Sequence, residues 1–126
     1  MIINGGTVTI TSAAAVASYT QSGGTLTGAG DLTVTGAMSW TGGVIGGTGL
    51  LTTEQAVTFS SVTLDGRIWT LAGGGTRPVG DLVVRSGSSV VVPLSEVLTI
   101  TAPGYRMHDG GTSATGVQLT VDGALV

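Results

Sequence analysis

A self-similar stretch in the first half of the chain constrains the fold most strongly. Residues 23–41 align with residues 42–60 at an offset of 19 without a gap, and glycine meets glycine while apolar residues meet apolar residues. Leu26 falls on Ile45, and Trp40 falls on Phe59. A fixed period near 20 residues in a strand-like sequence is typical of a solenoid whose coils stack on one another.

The segments between the glycine pairs predict short β-strands. They alternate in polarity or are rich in β-branched residues, and the Gly-rich pairs supply the turns. The only helix-compatible stretch, "SAAAVASY" (12–19), has neither a clear cap nor a charged face, so we predict a loop or a bulky turn there. The predicted strands lie in "TVTIT" (7–11), "DLTVTG" (31–36), "AVTFS" (56–60), "DLVVRS" (81–86) and "VLTITA" (97–102).

In stacked coils, similar side chains at equivalent positions lie directly above one another, because neighbouring strands are about 4.8 Å apart. Apolar residues at the repeat step should therefore form continuous ladders inside the solenoid. The predicted ladders are Leu26–Ile45–Leu64, Leu32–Leu51, Met38–Val57 and, with a step of 21 residues from its first member, Tyr19–Trp40–Phe59.

The repeat loosens after about residue 66. A chain of 126 residues has the size of one domain. We divide this single domain, residues 1–126, into regular coils over about residues 5–66 and irregular coils with loop insertions over about residues 67–126. Leu82, Leu98 and Leu119 are expected to extend the internal ladder at irregular steps.

Together these patterns predict an all-β fold, namely a β-solenoid. We expect a right-handed parallel β-helix with coils of about 19–21 residues. A β-sandwich also fits short strands with glycine turns, and a trimeric β-prism is a further alternative.

Composition excludes several classes of function. Charged residues make up 9% of the chain, with no lysine and a net charge of −3, so no basic surface is expected for nucleic acid. The chain has no cysteine, which excludes disulfides and thiolate metal sites. It also lacks a run of about 18 apolar residues, so we expect no membrane insertion.

The ionisable residues form no recognisable catalytic constellation. In "YRMHDG" (105–110) a histidine lies beside an aspartate, but no nucleophile or third partner is evident. We therefore predict no enzyme activity, no catalytic residue, no metal site and no cofactor. Loop insertions usually carry specificity in repeat scaffolds. The surface-loop candidates for binding are Trp69, Tyr105, Arg106, His108 and Asp109.

Thr-x-Thr triplets suggest an ice-binding face, which requires threonines in register from coil to coil. At the repeat step, however, Thr25 aligns with Val44 and Thr27 aligns with Gly46. The pattern therefore argues against ice binding at these positions.

The repeats resemble a known group of proteins. "GGTLTGAGDLTVTGAMSWTGGVIGGTGLLTT" and "VTLDGRIWTLAGGG" are similar to the Gly/Thr-rich β-strand repeats of large bacterial surface and secreted proteins, such as filamentous haemagglutinin-like and autotransporter passenger β-helices. The resemblance covers residues 5–75 best. It implies a β-helix outside the bacterial cell or on its surface that serves adhesion, display or matrix building.

We therefore expect a non-catalytic structural or adhesive module that contacts host or matrix glycans or proteins. A self-assembling fibre, or a trimer subunit like that of a phage tail fibre, is the second hypothesis, because the ends of a solenoid are open strand edges through which copies can join. A carbohydrate-binding or polysaccharide-degrading β-helix is the third.

Overall fold

The protein is a parallel β-solenoid with coils of about 19 residues and about five turns. The computed structural model describes residues 1–77, 80–85, 87–100, 107–108, 118–121 and 124–125. The strands are β1 Ile2–Ile3, β2 Thr7–Thr9, β3 Ala14–Val16, β4 Tyr19–Gln21, β5 Thr25–Thr27, β6 Leu32–Val34, β7 Met38–Trp40, β8 Val44–Gly46, β9 Leu51–Thr53, β10 Val57–Phe59, β11 Val62–Asp65, β12 Ile68–Leu71, β13 Gly75–Arg77, β14 Leu82–Val84, β15 Ser89–Val92, β16 Val97–Ile100, β17 Met107–His108, β18 Gln118–Val121 and β19 Ala124–Leu125.

Each turn contributes one strand to each of three sheets. Sheet A has the order β1-β4-β7-β10-β13-β16-β19, sheet B β17-β14-β11-β8-β5-β2, and sheet C β18-β15-β12-β9-β6-β3. All strand pairs in the described ranges are parallel. This excludes a β-sandwich, whose sheets are antiparallel. One chain supplies all three sheets, so a three-chain prism is not needed to close the coil. The right-handed sense of the coil stays a prediction.

The predicted aliphatic ladders are confirmed in the first four turns. Ile45 pairs with Leu26 and with Leu64, Leu32 pairs with Leu51, and Met38 pairs with Val57. All of these side chains are buried in one continuous core. Alternate residues of each strand point into the coil, and the residues at these inward positions are apolar.

The aromatic ladder is confirmed only in part. Trp40 pairs with Phe59, but Tyr19 pairs with Met38, and Gln21 takes the place below Trp40. The predicted step of 21 residues from Tyr19 is therefore wrong, because the step of 19 already holds in this turn. Tyr19 is nevertheless inside, as its parity predicted.

Two further predictions are wrong. The alanine-rich stretch predicted as a loop forms β3, which pairs with β6. Leu82, Leu98 and Leu119 do not share a ladder, because they pair with Val62 in sheet B, Gly75 in sheet A and Val90 in sheet C. The spacing between paired residues grows from 20 at Val62–Leu82 to 29 at Ser89–Gln118, so the steps of 16 and 21 between these leucines are too short to join successive turns of one sheet.

Candidate functional site

Trp69 does not lie on a surface loop. It is fully buried in β12, where it pairs with Leu51, and its indole Nε1 donates to Thr53 Oγ1 at 3.2 Å. Its ring packs edge-on against Trp40 and Phe59, at centroid distances of 5.5 and 5.1 Å. The prediction of an exposed binding residue at Trp69 is therefore wrong, and this side chain is part of the hydrophobic core.

Of the other predicted binding residues, the structure describes only the backbone of His108. Tyr105, Arg106 and Asp109 lie outside the described residues. The backbone of His108 lies in β17 opposite Val83. The cluster that these four residues would form stays a prediction.

A regular array of hydroxyl groups covers the outer side of sheet A. Thr20 pairs with Ser39, and Ser39 pairs with Thr58. Two residues further along each coil lie Ser22, Thr41 and Ser60, whose amides continue the bonding to the coil below, as in Thr41 N to Gln21 O at 2.9 Å. We call these six side chains the hydroxyl face; they are Thr20, Ser22, Ser39, Thr41, Thr58 and Ser60.

The hydroxyl face has a fixed geometry because the strands below it are in register. Strand spacing places its hydroxyls about 4.8 Å apart from coil to coil, and the rise of two residues places them about 6.7 Å apart along each strand. The central column continues upward through Thr76 and Thr99. The result is a periodic surface, in contrast to sheet B, where Thr25 pairs with Val44 as expected.

The hydroxyls of this face are available to a ligand. Four of the six side chains are exposed, and Ser39 and Ser60 are half-buried. The Ser22 hydroxyl donates to Asn4 Oδ1 at 3.1 Å, whereas the other five have no protein partner within the described part of the chain. Residues 18–22, 37–41 and 56–60 contain no charged residue, so the face offers hydrogen-bonding groups but no charged side chain.

The sequence contains the signal for this face. The step of 19 that joins Met38 to Val57 also carries Thr20 to Ser39 and Thr58, and Ser22 to Thr41 and Ser60. The alignment requires a step of 19 rather than 21 at Tyr19, and it pairs serine with threonine rather than threonine with threonine.

Charged residues are sparse around the coil. Among the residues described, Arg85 and Asp65 form one ion pair of 3.2 Å on the outer side of sheet B. Within the same residues no group of three or more His, Asp or Glu side chains could hold a metal ion. The described ranges also contain no helix that is both long and apolar enough to cross a membrane.

Comparisons of the chain with protein-family models, with curated proteins and with solved structures find no match.

Proposed function

We propose that the chain is a non-catalytic structural and adhesive module of a bacterial cell-surface or secreted protein, and that its hydroxyl face adheres to polysaccharide. The observation that carries this proposal is the register of Ser/Thr pairs across three consecutive turns of sheet A. The similarity of the repeats to those of haemagglutinin-like and autotransporter passenger β-helices supports the location outside the cell.

The chemistry of the face suits a flat, uncharged polymer. Sugar hydroxyls both donate and accept hydrogen bonds, as Ser and Thr hydroxyls do. The large aromatic side chains Tyr19, Trp40 and Phe59 all point into the core, so recognition on this face relies on hydrogen bonds rather than on ring stacking. Each such bond contributes only about 0.5–1.5 kcal/mol net, and affinity arises when several form at once on a repeating polymer.

Co-sedimentation with insoluble polysaccharides tests the proposal. Cellulose, chitin and peptidoglycan are incubated with the wild-type protein and with a variant that carries Thr20→Val, Ser39→Ala and Thr58→Val, which removes hydroxyls with little change of shape. We expect the wild-type protein to bind at least one polymer and the variant to lose about tenfold or more in affinity, since three hydrogen bonds are removed.

Sheet C offers a matched control. Its outward column of Thr33, Thr52 and Thr70 has the same register on another side of the rod, but all three side chains are half-buried and no second column of hydroxyls lies beside them among the described residues. Changing all three to valine should leave binding intact, and equal loss in both triple variants would contradict the assignment to sheet A.

Slower ice growth that depends on the hydroxyl face would show that the face binds ordered water instead. Soluble sugar released from the polymer would contradict a non-catalytic module.

Self-assembly through strand edges is a second candidate function. Among the residues that the structure describes, β1, β2 and β3 are the outermost strands at one end of the three sheets. Ile2 is 72% exposed there, and Val8, Ala14 and Val16 are only partly buried against the core. Backbone groups along open edges are available for pairing with another chain, so copies of the protein would join end to end.

A further inference from the structure

A buried arginine occupies the corner between sheets B and C. This corner, which we call the B–C corner, consists of residues 28–31, 46–50 and 66–67 in three consecutive turns, with Gly46 as the last residue of β8. Arg67 belongs to the third of these segments, and its side chain is fully buried. Arginine is rarely found in this state without a partner for its charge, because removing an ion from water is costly.

The partners of Arg67 are backbone carbonyls from the two turns below. Its Nε donates to Gly46 O, its Nη1 donates to Gly30 O at 2.9 Å and to Leu50 O at 3.2 Å, and its Nη2 donates to Gly28 O at 3.1 Å. One planar group therefore joins three successive turns. The fork of N–H donors on a guanidinium fits such a ring of oxygens in a way that a compact ammonium group does not.

Glycines make this ring of oxygens accessible. A Cβ atom at Gly49 would lie 2.2 Å from Gly30 O and 2.8 Å from Arg67 Nη1. A Cβ atom at Gly47 would lie 2.1 Å from Gly28 O. Side chains at these positions would thus occupy the space in which the carbonyls meet the guanidinium.

The negative charge of Asp31 partly offsets the positive charge of Arg67. The Asp31 carboxylate lies at the same corner, where its Oδ1 accepts a hydrogen bond of 2.8 Å from Leu50 N. Burial lowers the pKa of Arg67, and the negative charge of Asp31 opposes this effect. The corner therefore combines four carbonyl dipoles with one nearby carboxylate, all of which favour a cation.

We infer that the B–C corner is a guanidinium-binding site made of backbone carbonyls, and that Arg67 is its covalently tethered ligand. The site recognises the planar cation itself, and the tether supplies it at high effective concentration. Removal of the side chain leaves a cavity lined by carbonyl oxygens that accepts a small free guanidinium ion. The inference concerns the interior of the coil and is independent of the polysaccharide proposal.

Chemical rescue of Arg67→Ala tests the inference. The urea midpoint of unfolding is measured with added guanidinium or ethylguanidinium, at millimolar concentrations far below those that denature proteins. We expect the variant to unfold at lower urea than the wild-type protein, and its midpoint to rise with the logarithm of the added guanidinium concentration once that concentration exceeds the dissociation constant of the site. Ethylguanidinium should act at lower concentration, because it also fills the space of the missing side chain.

Two controls make the result specific. Arg85→Ala removes an exposed arginine from a surface ion pair, and its midpoint should not rise with either ion. Sodium chloride should not rescue Arg67→Ala, and rescue by sodium would overturn the assignment to a planar cation. An Arg67→Ala protein as stable as wild type, or one whose midpoint does not rise with either guanidinium ion, would overturn the site itself. If the variant does not fold in buffer, the yield of refolded protein is measured by circular dichroism as a function of ethylguanidinium concentration. A yield that does not rise with ethylguanidinium would likewise overturn the site.

Discussion

The side chain of Tyr19 shows how polar groups are satisfied inside the coil. Tyr19 is buried, and its hydroxyl donates to Gln21 Oε1 at 2.6 Å. The Gln21 amide in turn donates to Gly24 O at 3.2 Å and to Val44 O at 3.1 Å. A buried acceptor that loses its donor is destabilising by about 1–3 kcal/mol. Tyr19→Phe should therefore lower the free energy of unfolding near neutral pH by that amount.

The same residue predicts a pH dependence. Burial raises the pKa of Tyr19 above its ordinary value, an effect that the positive charge of Arg67 opposes. The contribution of Tyr19 is complete below the pKa of an unfolded tyrosine, about 10, and is lost as the pH rises above it, because the unfolded chain releases its proton first. The wild-type free energy of unfolding should fall more steeply above pH ~10 than that of Tyr19→Phe. Urea unfolding at several alkaline pH values checks this, and parallel slopes would contradict it.

The misassignment of Trp69 has a simple physical origin. At a step of 19 Thr70, rather than Trp69, falls opposite Leu51, so in the sequence the regular repeat ends near residue 66 and Trp69 falls in a predicted loop insertion. The structure pairs Trp69 with Leu51 at a step of 18, because only three residues separate Asp65 from Trp69, whereas four separate its partner Gly46 from Leu51. Arg67 lies in that shortened corner. Parity along a strand is predictable from sequence, but a single deletion in a turn reverses it.

At the scale of the element, the corners are more constrained than the strands. Gly47 has a φ of +90°, and a Cβ atom there would lie 2.1 Å from Gly28 O. Gly47→Ala should therefore lower the free energy of unfolding by about 1–3 kcal/mol for the backbone conformation alone, with a further loss from the collision. Gly5 provides the matched control, since a Cβ atom there would meet nothing within 4 Å. Gly5→Ala should change stability by less than about 0.5 kcal/mol, and equal effects of the two substitutions in urea unfolding would contradict the argument.

The strand β3 illustrates what sequence patterns could not predict at this scale. Alanine has weak strand propensity, so residues 12–19 gave no strand signal. The segment nevertheless becomes a strand because Ala14 and Val16 pair with Leu32 and Val34 of the next coil. The Thr- and Val-rich segments were predictable as strands since their own composition agrees with the fold, whereas β3 depends on its neighbour.

For the whole molecule, the class of fold was predictable because one alignment, Leu26 with Ile45 and Trp40 with Phe59, already defines a stacked coil. The hydroxyl face was missed because it requires the correct register in a third turn. The Arg67 site was missed because it joins residues up to 39 positions apart in the chain, through carbonyls that every residue possesses. Sequence patterns reveal the chemistry of side chains, whereas this site consists of backbone carbonyl groups.

The ends of the rod lead to a prediction about assembly. Within the described part of the chain, β1, β2 and β3 are the outermost strands at one end of the three sheets, and β19, β17 and β18 are the outermost strands at the other end. A contact between these unlike ends does not close on itself, so it produces a growing series of species rather than a dimer. Sedimentation velocity of the wild-type protein should show larger species as the concentration is raised.

A charge at the first coil should prevent this growth. Val8 pairs with Leu26 and lies at the open end of its ladder, so Val8→Lys would place an ammonium group where the next coil must pack. This variant is expected to sediment as a monomer at every concentration. Leu50→Lys is the matched control, because it replaces a 48% exposed apolar residue in the middle of the rod, and it should assemble as the wild type does. A wild-type protein that stays monomeric would exclude assembly through the edges. A single trimer that persists in Val8→Lys would show that the chains associate side by side, through the faces of the sheets.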